Sequence, residues 1–274
     1  MNIGIIGTGN MGKILIDALI EARAIKPSCL TIINRTFAKA YHIKEQYPSI
    51  HIGKTVKEVV ERSDLVIICV KPHEIHPILQ ENASSFTKEK CLLSITSPIS
   101  TQQLESIVAC STARVIPSIT NRALSGVSLC TFGEHCSKAW QEKLLTLFQT
   151  ISTPVLIEND VTRVASDIVS CGPAFFSYLL QRFIEAAVKE TKISREQATE
   201  LTSGMLVGMG KLIEKNIFTL QTLQEKVCVK GGVTGEGIGV MEQELGDMFE
   251  HVFRKTHAKY KEDLERVSEQ FKDC

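Results

Sequence analysis

Gly7, Gly9 and Gly12 stand in "GTGNMG", a Gly-x-Gly-x-x-Gly spacing. Such a spacing lets backbone close on a phosphate. The first glycine permits a tight turn, the second lets the chain approach a pyrophosphate, and the third lets a helix pack closely on a strand. Alone the pattern is weak. Here the apolar run "NIGII" leads into it, and a helical stripe of Met11, Leu15, Ala18, Leu19 and Ala22 leads out. In that setting Ile6, Gly7, Thr8, Gly9, Asn10, Met11 and Gly12 are expected to hold a dinucleotide, its pyrophosphate on the free N–H groups of the helix start.

The end of the second apolar run, "LTII", bears on which dinucleotide. A carboxylate for the ribose 2′-OH usually follows there; this chain has Asn34, Arg35 and Thr36. A guanidinium with short polar donors suits a 2′-phosphate, so NADP(H) is expected over NAD(H). The plainer reading of Arg35 is an exposed residue at a helix start. Cys69, Val70, Lys71 and Pro72 end the fourth run, where the carboxyl ends of parallel strands open a ligand crevice. Pro72 would fix the backbone where the cofactor passes, whereas a lysine such as Lys71, taken alone, is more often solvated than a ligand.

These residues need elements to position them. Apolar runs alternate with helical stretches through "LVIICV", "CLLSI", "ARVIP" and "GVSLCTF". That β-α-β rhythm predicts a parallel sheet with helices on both faces. From about Asp160 no strand period remains. "DVTRVASDIVSCGPAFFSYLLQRFIEAAVKE" is one long helical pattern, with Gly172-Pro173 as an expected kink. Ser194 and Gln197 are spaced as a capping box for the next helix. The fold class is therefore α/β. A Rossmann NAD(P)-binding domain over 1–159 is followed by an all-helical domain over 160–274. The apolar stretches "FFSYLLQRFIEAA" and "GMLVGMGKLI" exceed what one small bundle needs, so a dimer through residues beyond Asp160 is expected.

Composition narrows the partners. Thirty-one basic residues balance thirty-one acidic ones, which gives no footprint for nucleic acid or an anionic membrane. "LVIICV" is too short to span a bilayer, and the start of the chain lacks a signal peptide's basic and apolar regions. The nine cysteines, at 29, 69, 91, 110, 130, 136, 171, 228 and 274, form no C-x-x-C pair and are not spaced with the histidines as ligands. Reduced thiols in a cytoplasmic protein without a metal are expected.

Several fragments then coincide in order: "IGTGNMG", "NRT", "VKP", "RVIPSIT", "SCGPAFF" and "KVCVKGGVTGEGI". Together they resemble the pyrroline-5-carboxylate reductase family across nearly the whole chain, most closely its late-competence operon branch. The resemblance implies a Rossmann domain and a helical domain that interlocks with its twin in a homodimer or higher homo-oligomer. It also implies NAD(P)H-dependent reduction of a cyclic imine carboxylate, pyrroline-5-carboxylate, to proline. It carries the cofactor role to Ile6 through Met11, to Asn34 and Arg35, to Cys69 through Pro72, and to Pro117. Departures cluster on the substrate side. Ser118 and Ile119 replace an Asn-Thr, "VSCGPA" lacks a serine and a glycine, and Val229-Lys230 replaces a Ser-Pro ahead of two glycines.

Those two glycines belong to "VCVKGGVTGEGIG", a second glycine cluster with no strand leading into it. A phosphate loop follows a strand, so another role is expected. Gly231 and Gly232 would let N–H groups crowd a small ligand just before a helix start that attracts a carboxylate. Val229, Lys230, Gly231, Gly232 and Val233 are thus expected to cradle a substrate carboxylate beside the nicotinamide. The alternative is a mobile interhelical turn. Thr234 would hydrogen-bond the imine or carboxylate, cap the helix, or do both. A β-hydroxyacid dehydrogenase shares this two-domain plan but places a lysine in the stretch "DIVSCGPAFFSYLL", which has none. A nucleotide-binding regulatory protein without turnover is the remaining alternative.

Overall fold

The fold is that of a computed structural model describing residues 1–272; Cys274 lies outside the described residues. Eight strands form: β1 (Ile3–Ile6), β2 (Leu30–Ile33), β3 (His51–Ile52), β4 (Leu65–Ile68), β5 (Cys91–Ser94), β6 (Ser111–Ile116), β7 (Val127–Phe132) and β8 (Thr153–Leu156). The helices of this part are α1 (Asn10–Glu21), α2 (Phe37–Gln46), α3 (Val56–Glu61), α4 (Pro72–Asn82), α5 (Thr101–Glu105) and α6 (Lys138–Gln149). Then follow α7 (Thr162–Ser166), α8 (Gly172–Glu190), α9 (Arg195–Glu214), α10 (Leu220–Val227), α11 (Val233–Leu245) and α12 (Met248–Gln270).

One sheet runs β3-β2-β1-β4-β5-β6-β7-β8. Ile3 of β1 pairs with Leu30 on one side and Leu65 on the other, both in parallel register. Successive residues face opposite layers. Ile3, Ile5, Leu65 and Ile67 join a core with Leu15, Leu19 and Phe148. Ile6, Val66 and Ile68 join a second core with Val60, Leu79 and Leu104. Burial on both faces is why these strands read as unbroken apolar runs. Each fully buried Ile or Leu contributes about 1.5–3 kcal/mol relative to exposure.

The parallel sheet holds for β1 to β6. β7 pairs antiparallel with β6, and β8 follows β7 in parallel. The reason is the connection: residues 117–126 contain only a short 3₁₀ turn, Ile119–Ala123, too little chain for a crossover.

The chain divides into two compact units, one of residues 1–173 with Phe253 onward, the other Ala174–Val252. The later turns of α12 thus belong to the sheet unit. Val267 is buried in the second core, and Tyr260 donates from its hydroxyl to the Ser97 carbonyl at 2.9 Å. In the helical unit Ser194 caps α9 as its spacing predicts, accepting from Gln197 N–H at 3.1 Å. The long pattern from Asp160 is interrupted just ahead of the expected kink: Asp167–Cys171 form a π turn between α7 and α8. Pro173 has no N–H for the Val169 carbonyl four residues back, and the Ser118 hydroxyl donates to that carbonyl at 2.8 Å.

Candidate functional site

β1 is the switch point of the sheet. From it the chain crosses to β2 on one side and later reaches β4 on the other, so the carboxyl ends of β1 and β4 part into a crevice. Gly7 follows β1 with φ +98°; a Cβ there would sit 2.7 Å from the Cys69 carbonyl oxygen and 2.8 Å from Val70 Cγ1. At Gly12 a Cβ would stand 2.2 Å from the Gly7 carbonyl oxygen. Sequence spacing foresaw both constraints. Gly9, by contrast, has nothing within 4 Å of its missing Cβ and opens α1, whose first turn carries neither a side-chain cap nor an acidic residue. Ile6 is buried, while Asn10 is exposed and Met11 half-buried beside that opening.

Thr8 is buried, and among the described residues its hydroxyl has no partner. Its N–H donates to Asn34 Oδ1 at 2.9 Å, and Asn34 Nδ2 donates to the Thr36 carbonyl at 3.0 Å. Asn34 therefore ties the turn after β1 to the turn after β2. An uncapped helix start, open space at Gly9 and an unpartnered buried hydroxyl fit a pyrophosphate, which supplies the missing acceptors.

Arg35 projects from the turn after β2 with 86% of its side chain exposed, and its guanidinium pairs with Glu74. Sequence reading did not single out Glu74, although the third position of a helix opened by Lys71-Pro72 is a capping position. Its second carboxylate oxygen accepts the Lys71 N–H at 3.2 Å. Pro72 occupies the first turn of α4, where no N–H is needed. Cys69 enters through its backbone, donating N–H to the Ile6 carbonyl at 2.7 Å. Burial pushes its thiol up to about 12, so it is no nucleophile near neutral pH.

Pro117 follows β6 and is buried, its carbonyl accepting from the Ser170 hydroxyl at 2.9 Å. With the Ser118 bond, this fastens the π turn to the carboxyl edge of the sheet. Ser118 thus has a structural task that its place in "PSIT" did not announce. Asp167, also buried, accepts from Thr256 Oγ1 at 2.6 Å and lies 2.9 Å from the Arg163 guanidinium. Arg114 is another residue missed, its only sequence signal a charge inside an apolar strand. It is 2% exposed and donates to the Ser97 carbonyl at 3.1 Å and to Asn159 Oδ1 and Thr162 Oγ1 at 2.8 Å each. Burial lowers its pKa. With Ser97, Asn159 and Tyr260 it lines a recess of about 590 Å³.

The second glycine cluster lies in the helical unit, between α10 and α11. Val229 and Lys230 are exposed. Gly231 has φ +74°, and Gly232 is the residue that opens α11, in extended conformation and without a side-chain cap. The capping expectation for Thr234 is therefore corrected: it lies one residue inside the helix, after Val233, because the glycine ahead of them already makes the turn. The helix start thus leaves its N–H groups to the outside. Glu236, not considered from the sequence, is an acidic residue in that first turn.

Fold and site define a nucleotide-binding plan of the oxidoreductase type. A family model described as NADP oxidoreductase coenzyme F420-dependent matches residues 2–98, and one described as pyrroline-5-carboxylate reductase dimerisation matches residues 159–263. The chain is 56% identical to ComE operon protein 4 of Bacillus subtilis, over 99% of both chains. It is 30% identical to pyrroline-5-carboxylate reductase 3 of the same organism, over 98% of both. The Plasmodium falciparum pyrroline carboxylate reductase with NADP bound shares the fold, with a TM-score of 0.82 over 97% of this chain and 98% of that one at 20% identity. The chain belongs to the pyrroline-5-carboxylate reductase family.

Proposed function

We propose that the protein is an NADPH-dependent reductase of a cyclic imine carboxylate, pyrroline-5-carboxylate or a close relative, working as a homodimer or higher homo-oligomer. The observation that carries the reading is the dinucleotide turn, complete at Gly7, Gly9 and Gly12, in a chain 30% identical along its length to a pyrroline-5-carboxylate reductase. NADPH, when bound, supplies the hydride; the protein supplies position and electrostatics. The α1 start and Thr8 would hold the pyrophosphate, and Arg35 the 2′-phosphate. Cys69 to Pro72 and Pro117 would line its path. The N–H groups of Val233 and Thr234, at the uncapped α11 start, would hold the substrate carboxylate, with the Thr234 hydroxyl free to donate to it.

Self-association has its own support. Phe176, Phe183, Leu201 and Val207 of α8 and α9 are each at least 58% exposed. Apolar surface on that scale marks an interface. No helix among the described residues is long and apolar enough to cross a membrane.

Purified protein given NADPH and pyrroline-5-carboxylate should oxidise the coenzyme, with binding titrated in parallel. NADPH binding without turnover of any cyclic imine carboxylate would favour a second reading, a nucleotide-binding regulatory protein. Exposed Val229 and Lys230 in place of a hydroxyl and a stiffening proline support that alternative.

A further inference from the structure

We infer that Glu74 narrows the preference for NADPH over NADH by competing with the 2′-phosphate for the Arg35 guanidinium. This rests on the reading of Arg35 as the 2′-phosphate ligand. The two residues come from different strand ends: Arg35 follows β2, and Glu74 lies in the first turn of α4, beyond β4. Their side chains form an ion pair in which Arg35 is 86% exposed and Glu74 24%. The carboxylate is the fixed partner. One oxygen closes the start of α4 on the Lys71 N–H at 3.2 Å and the other holds the guanidinium. Glu74 cannot swing aside without freeing that N–H, whereas Arg35 can turn outward at little cost.

A 2′-phosphate carries about −1.5 to −2 charges at neutral pH. To reach Arg35 it must draw the guanidinium from Glu74 or share it, so it gains less from that charge than it would from a free guanidinium. A ribose 2′-OH meets the opposite situation. Glu74 can accept a hydrogen bond from it, the role that a carboxylate after β2 ordinarily fills in NAD-binding sheets, and the pair stays intact. One ion pair therefore opposes the phosphate and accommodates the hydroxyl. Asn34 is fixed by its bonds to Thr8 and Thr36, and the one amide N–H left over can serve a phosphate or a hydroxyl alike.

The test is a calorimetric titration of NADPH and NADH against the parent chain, Glu74→Gln, Arg35→Ala and the double variant. Glutamine keeps an oxygen for the Lys71 N–H, so the fold and the start of α4 should persist, and an unchanged Tm checks this. Glu74→Gln should tighten NADPH by roughly three- to fivefold, the scale of an exposed charge interaction, and leave NADH within about twofold. In the Arg35→Ala background the gain should shrink to under about twofold, because the contested guanidinium is gone. Unchanged or weaker NADPH binding in Glu74→Gln overturns the inference, as does equal tightening of NADH or a full gain without Arg35. A parent chain that binds neither nucleotide overturns the functional reading itself, and this inference with it; binding by the parent with no response at Glu74 strikes at the inference alone.

Discussion

Two glycine clusters in one chain do opposite things. In the turn after β1, Gly7 and Gly12 are required by their neighbours: a Cβ at either would stand under 3 Å from backbone. Between α10 and α11, Gly231 has nothing within 4 Å of its missing Cβ, and neither have Gly237 and Gly239 further on. The first cluster is closed at Gly7 and Gly12 by contacts the chain makes with itself, and open only at Gly9. The second is open at Gly231, Gly237 and Gly239, with Gly232 crowded only by Val229, 2.9 Å from its missing Cβ, so whatever requires the open glycines is a ligand, a second copy, or the turn geometry alone. Glycine count does not distinguish the cases; the surrounding atoms do.

The largest expected effect tests the closed cluster. Gly12→Ala drives a methyl into the Gly7 carbonyl and must part α1 from β1. A cost of up to ~3 kcal/mol, or roughly a hundredfold in NADPH affinity with a lower Tm, is expected. Wild-type binding in this variant would mean that the turn tolerates what its geometry forbids.

The second test asks whether a second copy covers the exposed apolar side chains of the helical unit that carries the open cluster. Phe183 on α8 is 64% exposed in the single chain. Phe183→Asp should weaken self-association by ~2 kcal/mol or more, about thirtyfold, seen as monomer at micromolar concentration by light scattering. A parent protein that is itself monomeric there would break the comparison, since the open face would then have no second copy to cover it.

Arg35→Asp comes next. The carboxylate repels a phosphate and accepts a ribose hydroxyl, so NADH should overtake NADPH, with a shift of about one to two decades in relative affinity. Equal binding of both coenzymes by the parent would remove the role given to Arg35.

The smallest effect belongs to the open loop. Lys230 is exposed, and its ammonium has no partner among the described residues. Lys230→Ala should raise KM for an acidic imine by a few-fold, roughly the scale of one solvent-exposed charge, and leave NADPH affinity unchanged. Val229→Ser with Lys230→Pro should improve turnover of pyrroline-5-carboxylate. If both variants match the parent, the loop is not a working carboxylate site.

The sequence by itself determined the parts whose cause is local. Strand and helix periods, the glycine spacing and the Ser194 cap depend on residues a few positions apart, so β1 to β6, α1 and the turn at Gly7 were legible in order. Tertiary structure decided what distant residues bring to one another. Glu74 meets Arg35 across 39 positions, Ser118 answers the carbonyl that Pro173 leaves free, and Tyr260 reaches back 163 positions to the Ser97 carbonyl. Arg114, hidden in an apolar strand, gathers acceptors from Ser97, from Thr131 and from the stretch holding Asn159 and Thr162. The reversal of β7 and the opening of α11 by a glycine rather than by Thr234 were likewise settled by the path of the backbone. A hydrogen bond depends on where two groups lie in space, and a single chain written in order records only where they lie along it.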